Sequence, residues 1–141
     1  MTLLAGDRSR AFEQYRASEA AVTDALVAMS PLAARLLGGI DYAAVRRVRR
    51  ANFIRLRERF AAVNRLSSEM LRIENDDACV PFCYPLLADR EVPWDALWRQ
   101  GLFVPQLWPE VPRRGGVEYA WERTLATRLM PLPIDHRYDV A

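Results

Sequence analysis

The sequence contains no lysine, and all 20 basic residues are arginine. A guanidinium stays protonated and offers no neutral amine, so no side chain of this protein can form a Schiff base. A mechanism that needs a lysine nucleophile must take it from another chain. Histidine occurs once, at His136, and cysteine twice, at Cys79 and Cys83. A zinc site needs three or four nitrogen or sulfur ligands at tighter spacings. Two cysteines four apart in an extended segment also lie beyond the span of a disulfide. They read as small buried or half-buried thiols, and nothing local supports a Cys–His pair with His136. Gly38-Gly39 and Gly115-Gly116 are isolated pairs without the spacing of a phosphate loop or a dinucleotide fingerprint. No G-x-S-x-G elbow occurs. No catalytic, cofactor-binding or metal-ligating residue is therefore assigned.

Long apolar runs are missing too. None approaches the roughly 20 residues that span a bilayer, and Met1 to Arg10 lacks the layout of a secretory signal. With too few cysteines for a disulfide scaffold, the expected setting is a reducing cytoplasm, away from membranes.

What is present is a globular composition: 141 residues, 51% hydrophobic and 27% charged. That suits a single domain over 1–141. The net charge is only +2, but it is unevenly placed. Tyr42 to Arg65 carries eight arginines and one acid, Glu58. Arg46, Arg47 and Arg50 are candidates for a basic face that meets phosphate or nucleic acid. The small overall excess argues against nucleic acid. The alternatives are a solvated helix face, or arginines that partner acids on a neighbouring subunit.

The first half reads as helix. From about Ser9 to Met29 there is no glycine or proline, and Phe12, Tyr15, Val22, Leu26 and Met29 share a broad stripe. Ser30-Pro31 stops this helix and starts another, which ends at Gly38-Gly39. Asp41 is the expected N-cap of a long amphipathic helix reaching about Asn64, with Tyr42, Val45, Val48, Phe53, Leu56, Phe60 and Val63 on its apolar side.

The second half changes character, since eight of the nine prolines follow residue 80. Cys79 to Leu87 is expected as an edge or bulged strand, with Val80, Phe82, Tyr84 and Leu86 on one face. A helix over Pro93 to Gln100, a strand over Leu102 to Trp108, a helix over Val117 to Arg128 and an extended piece over Leu129 to Ile134 complete the order. The fold class is α+β: a helical part over 1–65, then an α/β sandwich part over 66–141 in which helices cover a small, mainly antiparallel sheet.

Four places carry a family resemblance. They are Ser30-Pro31-Leu32-Ala33-Ala34-Arg35-Leu36-Leu37; Arg49-Arg50-Ala51-Asn52-Phe53-Ile54-Arg55-Leu56; Pro81-Phe82-Cys83-Tyr84-Pro85-Leu86-Leu87 with Asp89-Arg90; and Gly101-Leu102-Phe103-Val104 with Leu107-Trp108-Pro109 and Leu132-Pro133-Ile134-Asp135-His136-Arg137-Tyr138. In this order they resemble the C-terminal small domain of the DegT/StrS-type sugar aminotransferases, pyridoxal-phosphate enzymes of fold type I. The large domain that holds the cofactor lysine in that family has no counterpart here, so no pyridoxal phosphate is expected on this chain alone.

The resemblance implies a non-catalytic small domain that acts through association, in the setting of nucleotide-sugar and surface-polysaccharide synthesis. A homodimer, or a missing large-domain partner, would cover its apolar faces. Phe12, Tyr15, Leu26, Phe53 and Trp108 are the residues expected at such a contact. Trp108, Arg137 and Tyr138 are candidates for touching a ligand or partner. Two alternatives stay open: the C-terminal half of a split pyridoxal-phosphate enzyme, and a nucleic-acid-binding module using the arginine helix.

Overall fold

Capping chemistry sets the first helix boundaries. The Ser30 hydroxyl accepts the Ala33 amide hydrogen at 3.1 Å, and Pro31 occupies the first helical position, where its missing N–H costs nothing. The Gly39 amide closes the other end on the carbonyls of Arg35 and Leu36. Asp41 opens the next helix by accepting the Ala44 amide at 2.9 Å. The computed structural model describes residues 8–21, 28–73, 78–114 and 118–137.

In chain order the elements are α1 (Arg8–Ala20), α2 (Pro31–Gly38), α3 (Tyr42–Phe60), β1 (Tyr84–Leu87), α4 (Trp94–Arg99), a 3-10 turn (Val111–Arg113), α5 (Ala120–Arg128) and β2 (Leu129–Leu132). This is a small α+β fold. The described part of the first helix stops at Ala20, a turn follows at Ala21, and residues 28–30 are not helical. The expected helix over Ser9 to Met29 is therefore shorter, and Val22 and Leu26 fall outside the described residues.

The chain divides into two compact units, 1–40 with 97–103, and 41–96 with 104–141. In the first, Phe12 of α1 packs on the rings of Trp98, at 5.7 Å, and Phe103, at 4.9 Å. The Arg16 guanidinium lies over the Trp98 ring at 5.1 Å, a cation–π contact.

The second unit holds the core. Phe53 of α3, Leu71, Ile73, Tyr84 and Leu86 of β1, and Ile134 form its centre. The Tyr84 ring meets Phe53 edge-on at 5.3 Å and stacks with Phe60 at 6.2 Å. Phe53, expected at a subunit contact, is thus a core residue: its helix position points it at Tyr84. Asn52, beside it, is buried and donates to the carbonyls of Ile134, at 3.4 Å, and Asp135, at 3.3 Å. A polar side chain at this depth must be hydrogen-bonded, and these bonds fasten the segment after β2 to α3.

Among the described residues the sheet is one antiparallel pair. Tyr84 faces Leu132, Pro85 faces Pro131, Leu86 faces Met130 and Leu87 faces Leu129. Neither proline has an N–H, so their pair must be a non-hydrogen-bonded one. The outward groups of β1 are then Pro85 C=O and both backbone groups of Leu87. The chain after α3 satisfies them. The Asn64 carboxamide donates to Pro85 O at 2.8 Å and accepts from Leu87 N at 3.0 Å. The Arg65 amide donates to Leu87 O at 3.0 Å. The outer edge of β1 is therefore covered without a third strand.

Two strand expectations need correction. The first strand begins at Tyr84, not Cys79, and Phe82 is exposed instead of sharing the buried face of Tyr84 and Leu86. Leu102 to Trp108 is not a strand. Pro105 cannot donate to a ladder, and Trp108 has a φ of 51°, which no strand accommodates.

Candidate functional site

The arginine helix was the strongest chemical signal, and α3 uses its arginines in two ways. Three of them hold the chain segment that returns towards β1. Arg49 donates through Nε to the Pro81 carbonyl at 2.9 Å and through Nη2 to the Phe82 carbonyl. Arg50 donates to the carbonyls of Cys79 and Ile73, each at 2.9 Å. Arg57 donates to Leu71 O at 3.5 Å. A planar guanidinium reaches two neighbouring acceptors at once, so Arg49 and Arg50 each fasten two points of the segment. Beyond the helix, Arg65 pairs with Asp89, and this holds the Asp89 carboxyl below its usual range.

The remaining face is different. Arg46 and Arg47 are exposed. With Arg50 they line a shallow, open groove of about 450 Å³, completed by Ala51 and Ile54. The three arginines singled out as a basic face are thus brought together, on one side of one helix. Arg50 also serves the fold, because its guanidinium reaches the carbonyls of Ile73 and Cys79.

Trp108 and Arg137 lie on separate segments. Trp108 precedes the 3-10 turn, and its carbonyl accepts from Val111 N at 3.0 Å. Its side chain is 53% exposed, and its backbone is left-handed although a proline follows. A bulky residue in this region is strained, and such strain persists only where the surroundings impose it. Arg137 lies beyond β2 and is engaged with Asp135: Nε meets Oδ1 at 2.9 Å, Nη2 meets Oδ2 at 3.2 Å, and the Arg137 amide also donates to Oδ1 at 2.9 Å. These bonds hold the Asp135 carboxyl below its usual range, with the charge of His136, whose Nδ1 lies 3.4 Å from Oδ1, adding to them. Arg137 therefore closes a local turn. Tyr138 lies outside the described residues.

One feature no sequence pattern exposed is Phe82. Its carbonyl is held by Arg49, yet its side chain is 77% exposed. The adjacent Cys83 is half-buried, and burial pushes its thiol above the usual range while the Arg49 charge opposes the shift. A thiol held protonated is a poor nucleophile.

Among the described residues, no group of three or more His, Cys, Asp or Glu side chains is placed to hold a metal, and no helix is long and apolar enough to cross a membrane. Comparison of the chain with protein-family models, curated proteins and solved structures gives no match.

Proposed function

We propose that this chain is a non-catalytic association domain, of the type that forms the small domain of sugar aminotransferases, and that it works as a homodimer or against a separate large-domain partner. The observation that carries this reading is Phe82. An exposed aromatic side chain on a mobile loop would lose much of its binding energy to ordering. Here the backbone is already fixed by the Arg49 fork at Pro81 and Phe82. A large apolar ring presented on a fixed backbone is what an interface anchor requires.

The absence of lysine supports the non-catalytic part, since no side chain here can hold pyridoxal phosphate as the internal aldimine that the resembled family uses. The setting in nucleotide-sugar and surface-polysaccharide synthesis follows from the motif resemblance and carries less weight than the anchor.

Sedimentation velocity across a wide concentration range, with and without a large-domain aminotransferase chain, tests the proposal. The expected result is a concentration-dependent dimer or a mixed complex that Phe82→Ser abolishes while circular dichroism and melting temperature stay unchanged. A chain that remains monomeric in every mixture, or a complex indifferent to Phe82→Ser, overturns it. So does an aldimine absorbance that develops on the chain alone with pyridoxal phosphate.

A further inference from the structure

The helix α2 is capped at both ends, yet none of its eight residues is buried. A helix of this length is marginal in water, and in proteins it is stabilised mainly by packing an apolar face. Here the apolar residues meet solvent. Leu32 is 68% exposed, and Leu36, one turn on, is 66% exposed. Met29, Leu37 and Ile40 beside them are exposed as well. Arg35 is the single charged residue of α2, and the helix contains no acid. The patch therefore lacks a charge pattern that would select an unlike partner. Its leucine spacing lets two antiparallel copies set Leu32 of each against Leu36 of the other, which is the self-complementary contact that a two-fold axis requires. Covering Met29, Leu32, Leu36, Leu37 and Ile40 on both copies would bury roughly 1,000 Å² in total, the lower limit for a specific interface.

We infer that α2 is a self-association face that packs against α2 of a second copy of this chain, Leu32 against Leu36. The inference rests on the association reading and commits it to its homodimer form. An area at the lower limit leaves the contact dependent on a further anchor, which Phe82 supplies under that reading.

Sedimentation velocity on the full chain tests it, with Leu32→Glu and Leu36→Glu combined. This variant should dimerise at least about tenfold more weakly than the parent, because the contact would bury carboxylates facing carboxylates. Its melting temperature, at a concentration where both proteins are monomeric, should equal that of the parent, since neither leucine is buried. A second variant, with Leu32→Lys and Leu36→Lys, should be equally weak alone. Mixed, the two variants should associate more tightly than either does by itself, because opposite charges then meet across the axis. That rescue is specific to a contact of α2 with α2.

Self-association that Phe82→Ser removes but the Leu32→Glu, Leu36→Glu variant keeps overturns the inference and spares the Phe82 reading. The converse supports the inference and overturns the Phe82 reading. A chain that is monomeric throughout overturns both. A variant that melts below the parent as a monomer places the cover of α2 within the chain, and the inference fails. It fails too if the variant dimerises like the parent but loses a mixed complex with a large-domain aminotransferase chain, which assigns α2 to an unlike partner, or if mixing the glutamate and lysine variants restores nothing.

Discussion

The Asn64 side chain accepts the amide hydrogen of Leu87 at 3.0 Å. The same carboxamide also serves the Leu66 amide at 3.0 Å, the Pro85 carbonyl at 2.8 Å and the Tyr84 hydroxyl at 2.9 Å. One residue just past α3 thus takes the place of a third strand along β1 and ties it to the helix it packs on.

Replacing Asn64 by Leu should therefore destabilise the fold well beyond the loss of a surface polar group. Leu87 N–H and Pro85 C=O both lose their partner, and at about 1–3 kcal/mol for each unmet group the expected loss is about 2–6 kcal/mol. Asn64→Asp keeps the acceptor for Leu87 but loses the donor to Pro85, so it should fall between wild type and Leu. Urea unfolding monitored by tryptophan fluorescence measures both. Equal stability of Asn64→Leu and wild type would show that the edge of β1 needs no cover.

A second expectation concerns the Arg49 fork. Lysine has the charge but not the planar pair of donors, so Arg49→Lys should keep at most one of the two bonds to Pro81 and Phe82. The expected cost is about 1–2 kcal/mol, near the value of one hydrogen bond from a charged group. The more telling measurement is backbone ¹⁵N relaxation. The amides of Phe82 and Cys83 should gain fast motion in Arg49→Lys while those of Leu86 and Leu87 do not. Unchanged order parameters at Phe82 would mean that something other than Arg49 holds it.

The features legible from sequence are those whose cause is local. Ser30-Pro31, Gly38-Gly39 and Asp41 announce helix ends through side-chain and backbone chemistry within four residues, and the structure uses each of them. The apolar spacing of α3 correctly names Phe53, but its neighbour in space, Tyr84, comes from a strand 31 residues further on, so a core position is easily mistaken for an interface position.

The strand errors share that origin. Leu102 to Trp108 has strand-like composition, yet β propensity is realised only when a partner strand arrives, and the sheet consists of β1 and β2 alone among the described residues. Phe82 alternates in step with Tyr84, but Arg49 grips the backbone before the strand begins. The arginine face of α3 was visible as a charge pattern. Which arginines bind carbonyls depended on where Leu71, Ile73, Cys79, Pro81 and Phe82 lie in space, and no local pattern encodes that.

Trp108 offers a test of backbone strain. Its φ of 51° costs an ordinary L-residue roughly 1–2 kcal/mol, and a β-branched side chain fits there worse still. Trp108→Val should therefore destabilise the protein by about 1–2 kcal/mol. Trp108→Gly should come out near neutral, because relief of strain offsets the lost contacts of a half-exposed ring. Trp108→Asn should resemble glycine, since asparagine tolerates the left-handed region. The order of melting temperatures decides it. Valine matching glycine would mean that the turn at Trp108-Pro109 relaxes freely and imposes nothing.

The Asp135 turn makes a prediction about acid. The Arg137 side chain and amide lower the folded-state carboxyl below its ordinary value, with His136 adding to the effect. A depressed folded value means that the unfolded chain binds the proton more readily. This contribution to stability is therefore fully present above the unfolded carboxyl value, near 3.9, and is lost as the pH falls through the lower folded value. Asp135→Asn removes the charge but leaves the Asp135 backbone carbonyl free to accept from Asn52. Its deficit relative to wild type should be present at neutral pH, shrink below about 4, and disappear in stronger acid. Urea midpoints at a series of pH values follow this directly. A deficit that persists undiminished in strong acid would place the role of Asp135 in its shape, with the Arg137 pair contributing nothing.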